Sequence, residues 1–125
     1  MAASKLDAAG AQMMKTLEGA HHTLQTIHGI VERGAIDVKN KKPLGVITLQ
    51  IKRIAAPMQG QLKGQFGMIA DLVANFILSS TRGGGGDVAK LRSMREGVAQ
   101  IRVALDMAGN KVKATHSVDI AISAE

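Results

Sequence analysis

Between residues 4 and 33 two apolar series interleave: Leu6, Met13, Ala20 and Ile27, and Gly10, Leu17, Leu24 and Val31, each repeating every seven residues. Alternating steps of three and four trace one stripe down an α-helix, and here they run for about four heptads with no proline. Gly34 supplies a stop. At about 1.5 Å per residue such a helix is roughly 45 Å long. A stripe of that length has to be covered, by the rest of the chain or by a second copy. Leu6, Met13, Leu17, Leu24, Ile27 and Val31 are therefore the expected packing or oligomer seam.

Composition limits what can cover it. Of 125 residues two are Phe and none is Tyr or Trp, while there are seven Met and 14 Gly. The length is that of a single domain, residues 1–125, and its core has to be built from Leu, Ile, Val, Met and Ala. Close helix packing is then expected in place of an aromatic-lined ligand pocket. Without cysteine there are no disulfides, thiolate metal sites or thiol nucleophiles. Met1–Gly10 has no continuous apolar stretch of the kind a secretory signal needs, and Phe66–Leu78 is too short to span a bilayer. A soluble, cytoplasmic protein is expected.

Downstream the pattern changes period. Ile47, Leu49 and Ile51 alternate with Thr48, Gln50 and Lys52, and Ile36 and Val38 alternate with Asp37 and Lys39. With turn residues at 40–43, this reads as a β-hairpin, about 35–39 paired with 45–54. A helix from Leu44 also fits, because Ile47, Ile51, Ile54 and Met58 share a helical face. Pro57 suits the first turn of a second helix over about 57–80. Along it Gly60, Gly64 and Gly67 are expected to admit a neighbouring backbone, with Asp71 toward solvent.

Residues 79–86 form a Gly-rich link, and Asp87 is the expected N-cap of a third helix. That helix carries Leu91, Met94, Val98, Ile101, Leu105 and Ala108 and is expected to stop at Gly109-Asn110. From Val112 to Ile122 every second residue is apolar or His116, except that Ala121 sits on the alternate side, which predicts a final strand over 111–122. The expected order is α-β-β-α-α-β, an α+β fold with a small antiparallel sheet. An all-α antiparallel three-helix bundle is the alternative.

Candidate chemistry is sparse. His21, His22 and His28 cluster on the first helix, with His22 pointing away from the seam. Ala20-His21-His22-Thr23-Leu24-Gln25 resembles the His-x-x-Lys-Gly motif of the histidine-phosphotransfer family. Gln25 stands at its lysine and Thr26 at its glycine. The resemblance implies a four-helix fold and His22 as phosphoacceptor. Glu18-x-x-His21 is one copy of an element that di-iron bundles need twice, so no metal and no cofactor is expected. Arg82–Asp87 lacks the Gly-Lys-Ser/Thr ending of a nucleotide-binding loop. No serine lies in a Gly-x-Ser-x-Gly context, and no enzymatic activity is expected.

The net charge of +6 is concentrated: residues 35–86 hold seven bases and two acids, and Val38–Ala70 holds six bases and no acid. Lys39, Lys41, Lys42, Lys52 and Arg53 are thus candidate contacts for an anionic partner. The absence of aromatic residues leaves backbone-only duplex contact as the nucleic-acid mode. Taken together, these features point to a non-enzymatic self-associating structural or assembly subunit. A basic, nucleoid-type nucleic-acid-binding protein is the second reading and a histidine phosphotransfer protein the third.

Overall fold

A computed structural model describes residues 4–82 and 86–119. Four helices account for most of them: α1 (Ala8–Lys39), α2 (Gly45–Leu62), α3 (Gly67–Arg82) and α4 (Asp87–His116). They pack in a ring, α1 on α2, α2 on α3, α3 on α4 and α4 back on α1. Short connections make chain neighbours antiparallel. The ion pairs between the first and last helices show the same sense, since His21 meets Asp106 while Glu32 meets Arg95. The α+β expectation is overturned. Among the described residues the chain is an all-α four-helix bundle, and the extended structure is one ribbon, β1 (Ser4–Leu6) antiparallel to β2 (Ser117–Asp119), pairing Leu6 with Ser117.

Each misread segment was decided by burial. The first helix does not stop at Gly34; it continues to Lys39, because Gly34 lies against Ile47 and Leu44, where an added Cβ would come within 3.3 Å of both. The expected hairpin is instead the end of α1 and the first half of α2. Ile47, Ile51, Ala55, Met58 and Leu62 are buried on one face of α2, whereas Leu49, which strand alternation would have buried with them, is 50% exposed. A helix buries four or five residues of such a segment against two neighbours, which a two-stranded ribbon cannot match. Pro57 does not begin a helix; it sits exposed inside α2. The expected 57–80 helix is broken at 63–66, where Phe66 N–H donates to the Leu62 carbonyl in a tight turn.

The last helix runs past Gly109-Asn110 to His116 and carries Val112, 3% exposed, into the core. Of the expected 111–122 strand, 111–116 is therefore helix, 117–119 pairs with β1, and 120–122 lies outside the described residues. Asp87 is the first residue of α4, and Gly86 holds the cap position. Nothing approaches Gly60, Gly64 or Gly67 within 4 Å; close approach occurs at Gly10, against His116, and at Gly97, against the Phe76 ring.

The core is aliphatic. Leu17, Leu24, Ile27 and Val31 of α1 meet Ile51, Met58 and Leu62 of α2, Val73 and Phe76 of α3, and Met94, Ile101 and Leu105 of α4. Its buried hydroxyl, Ser80, donates to the Phe76 carbonyl at 2.7 Å. Helix lengths then set the shape. With 32 and 30 residues, α1 and α4 are about 48 and 45 Å long, while α2 and α3, with 18 and 16, reach only about 27 and 24 Å. The α2–α3 turn ends partway along the α1/α4 pair, which projects beyond it as half a bundle. The start of α1 and the end of α4 are fastened to each other at the far end of that projection. Asp7 Oδ1 caps α1 by accepting from Gly10 N–H at 2.6 Å, and its Oδ2 meets His116 Nδ1 at 3.2 Å.

Candidate functional site

The step where α2 and α3 stop is a cleft of about 720 Å³. Phe66, Met68, Ile69 and Leu72 form its closed end, and Met13, Ala104, Met107, Ala108 and Val112 form its long wall. Met68 and Met107 are 85% and 66% exposed, whereas Val103, one turn before Met107, is 57% exposed but outside the lining. Large side chains left in water over one continuous concavity distinguish this region from scattered surface apolars. Its charged lining consists of Asp71 on α3 and Lys111 on α4, of opposite sign. Thr115 and His116 lie at its outer end. Met68 was not legible in the sequence, because the end of α2 was not expected at residue 62.

The expected seam residues are placed as follows. Leu17, Leu24, Ile27 and Val31 are at most 1% exposed and are covered by helices of the same chain. Met13 is half-buried beside the cleft, and Leu6 lies in β1, outside the helix. A self-association surface therefore has to be formed by other residues.

The basic residues lie at the opposite end and along one flank. Lys39 ends α1, Lys41 and Lys42 form the α1–α2 turn, and Lys52 and Arg53 project from α2; all are exposed. The turn closes by two backbone bonds, Lys41 N–H to the Val38 carbonyl and Lys42 N–H to the Asp37 carbonyl. This paired pattern demands a left-handed residue at Lys41, which has φ of 60°. Glycine is the usual occupant, so a lysine held there is under backbone strain. None of the five forms an ion pair among the described residues.

The histidines line a second groove, of about 490 Å³, on the outer surface between α1 and α4. His21, His22, Gln25 and His28 come from α1, and Arg102 from α4. His22 is exposed. The four-helix fold agrees with the one the phosphotransfer resemblance implies; Gln25 and Thr26 still depart from its motif. Beyond the groove Glu32 accepts from Arg95 Nε at 2.9 Å and Nη2 at 3.0 Å, which holds the Glu32 carboxyl below its ordinary range. Among the described residues no three His, Asp or Glu side chains gather closely enough for a metal ion. Nor is any helix there long and apolar enough to cross a membrane.

No protein-family model, curated protein or solved structure matches this chain. The functional reading therefore rests on the geometry.

Proposed function

We propose that the chain is a non-enzymatic subunit that self-associates, two copies meeting through the cleft at the α2–α3 end. The observation that carries this reading is the exposed apolar lining, Met68 at the start of α3 and Met107 on the projecting α1/α4 pair, which lacks two helices of its bundle. A second copy turned by a two-fold axis supplies those two helices with the same residues, so each uncovered face covers the other. Such an interface places one copy's Asp71 against the other's Lys111, twice, and the opposite charges in the lining are self-complementary in this sense.

Magnitudes favour a reversible pair. Burying most of the exposed part of two side chains on each copy contributes roughly 4–9 kcal/mol at about 1.5–3 kcal/mol per fully buried side chain. Association costs on the order of 4–15 kcal/mol in lost freedom. The two are close, so the mass should depend on concentration.

Sedimentation equilibrium over a concentration series, followed by interference optics because the chain has no Tyr or Trp, is the test. The expected result is a rise from 13.1 kDa toward twice that value. Met68→Lys with Met107→Lys should hold the chain at 13.1 kDa with unchanged helical circular dichroism, since both side chains already stand in water. Asp71→Lys and Lys111→Glu should each weaken the pair, and together restore it. A chain that stays monomeric throughout, or a double Met variant that still pairs, would refute the proposal.

Contact with a nucleic-acid backbone is the second reading, and the strained Lys41 favours it: a charged residue occupies a turn position better suited to glycine. Replacing Lys39, Lys41 and Lys42 by Glu should abolish salt-sensitive retention of duplex DNA and leave the pairing intact. Equal retention of both proteins, or none by the native chain, counts against this reading.

A further inference from the structure

We propose that the outer α1/α4 groove is a binding site for a phosphate-class anion, held by the Arg102 guanidinium and by the imidazoles of His21, His22 and His28. The polar side chains that line it are all capable donors, and no carboxylate is among them. Gln25 adds an amide N–H between the histidines. Its volume of about 490 Å³ admits a phosphate or a small phosphate monoester with its hydration. Arg102 makes no ion pair among the described residues, so its planar fork is available for two parallel hydrogen bonds to phosphate oxygens.

Three acids flank the groove: Asp106 contacts His21, one of its own residues, while Glu32 and Glu18 stand one turn beyond its histidines. Asp106, one turn beyond Arg102, lies 3.4 Å from His21 Nε2. Glu32, one turn beyond His28, is engaged by Arg95 through two nitrogens. Glu18, one turn before His21, lines the next hollow along α1/α4 together with Asp106 and Lys113. Between these acids α1 presents three imidazoles and α4 one guanidinium. No covalent bond forms; the site holds its ligand by charge and hydrogen bonds alone. It shares no residue with the cleft, so it stands or falls separately from self-association.

The test is an NMR titration of the histidine ring resonances with inorganic phosphate at constant ionic strength, with EDTA present. A parallel arm uses glycerol 3-phosphate, which separates free phosphate from a monoester as the better ligand. His116, on the far end of α4 against Asp7, serves as an internal control in the same spectrum. The expected result at pH 6 is a saturable shift of the His21, His22 and His28 resonances in at least one arm, with His116 unmoved. Arg102→Gln should weaken binding at least tenfold at pH 6, while Lys63→Gln, exposed in the turn after α2, should have no effect. The proposal is overturned if neither ligand saturates, if His116 shifts with the other three, or if Arg102→Gln binds as the native chain does.

Discussion

Adding one methyl group to the bundle should stabilise it at Gly19 and destabilise it at Gly97. Both glycines lie inside long helices, where alanine gains about 1 kcal/mol over glycine from lower backbone entropy in the unfolded chain. At Gly19 nothing lies within 4 Å of an added Cβ, so the whole gain survives. At Gly97 the new Cβ runs into Cδ1, Cε1 and Cγ of Phe76. That ring is 3% exposed and cannot swing into solvent, so α3 and α4 have to move apart. Overpacking of this kind costs about 1–3 kcal/mol, which exceeds the helical gain and leaves a net loss of about 1 kcal/mol. The two variants should therefore differ by about 2 kcal/mol. In thermal unfolding followed by circular dichroism that separates their midpoints by several degrees, at roughly 2–8 °C per kcal/mol for domains of this size range. Phe76→Leu removes the obstructing ring and should largely abolish the penalty of Gly97→Ala, giving a double variant more stable than additivity allows. If Gly97→Ala raises the midpoint as Gly19→Ala does, Phe76 does not rest on Gly97 and the α3–α4 packing described above is wrong.

Two further outcomes follow from the ends of the helices. The Asp7 carboxyl is held below its ordinary value of 3.8, first by the Gly10 N–H and then by its hydrogen bond with His116. A depressed carboxylate contributes stability that is complete above about pH 3.8 and is lost as pH falls below it. Asp7→Asn should accordingly flatten the acid limb of a midpoint-against-pH curve, and parallel limbs for the two proteins would show that the cap is not formed. At the other end, Lys41→Gly should raise the midpoint, since the left-handed conformation costs a residue with a Cβ about 1–2 kcal/mol. The same change should weaken any DNA retention, so stability and binding move in opposite directions; an unchanged or lower midpoint argues against the turn geometry.

Spacing alone determined the two long helical seams. Leu17, Leu24, Ile27 and Val31 in α1 and Leu91, Met94, Val98, Ile101 and Leu105 in α4 are buried as their heptads require, because a 3.6-residue period leaves only one face on which they gather. The aliphatic core followed from the two phenylalanines. The concentration of positive charge in the middle of the chain was legible too, although its placement on a helix end and one helix flank was not.

Segments 45–54 and 111–116 carry both periods at once, and a local pattern cannot choose between them. Tertiary burial chose: Ile47 and Ile51 have α1 and α3 to pack against only as one helical face, and Val112 closes the α1/α4 pair only if α4 stays helical past Asn110. The candidate cleft was invisible for the same reason. It exists because α2 and α3 end early at the 63–66 turn, and where two helices stop relative to two others is a property of their packing, which no stretch of sequence contains by itself. The histidine groove is an intermediate case. His21, His22 and His28 were in view from their spacing on one helix, whereas Arg102, 74 residues beyond His28, joins them only when α4 folds back along α1.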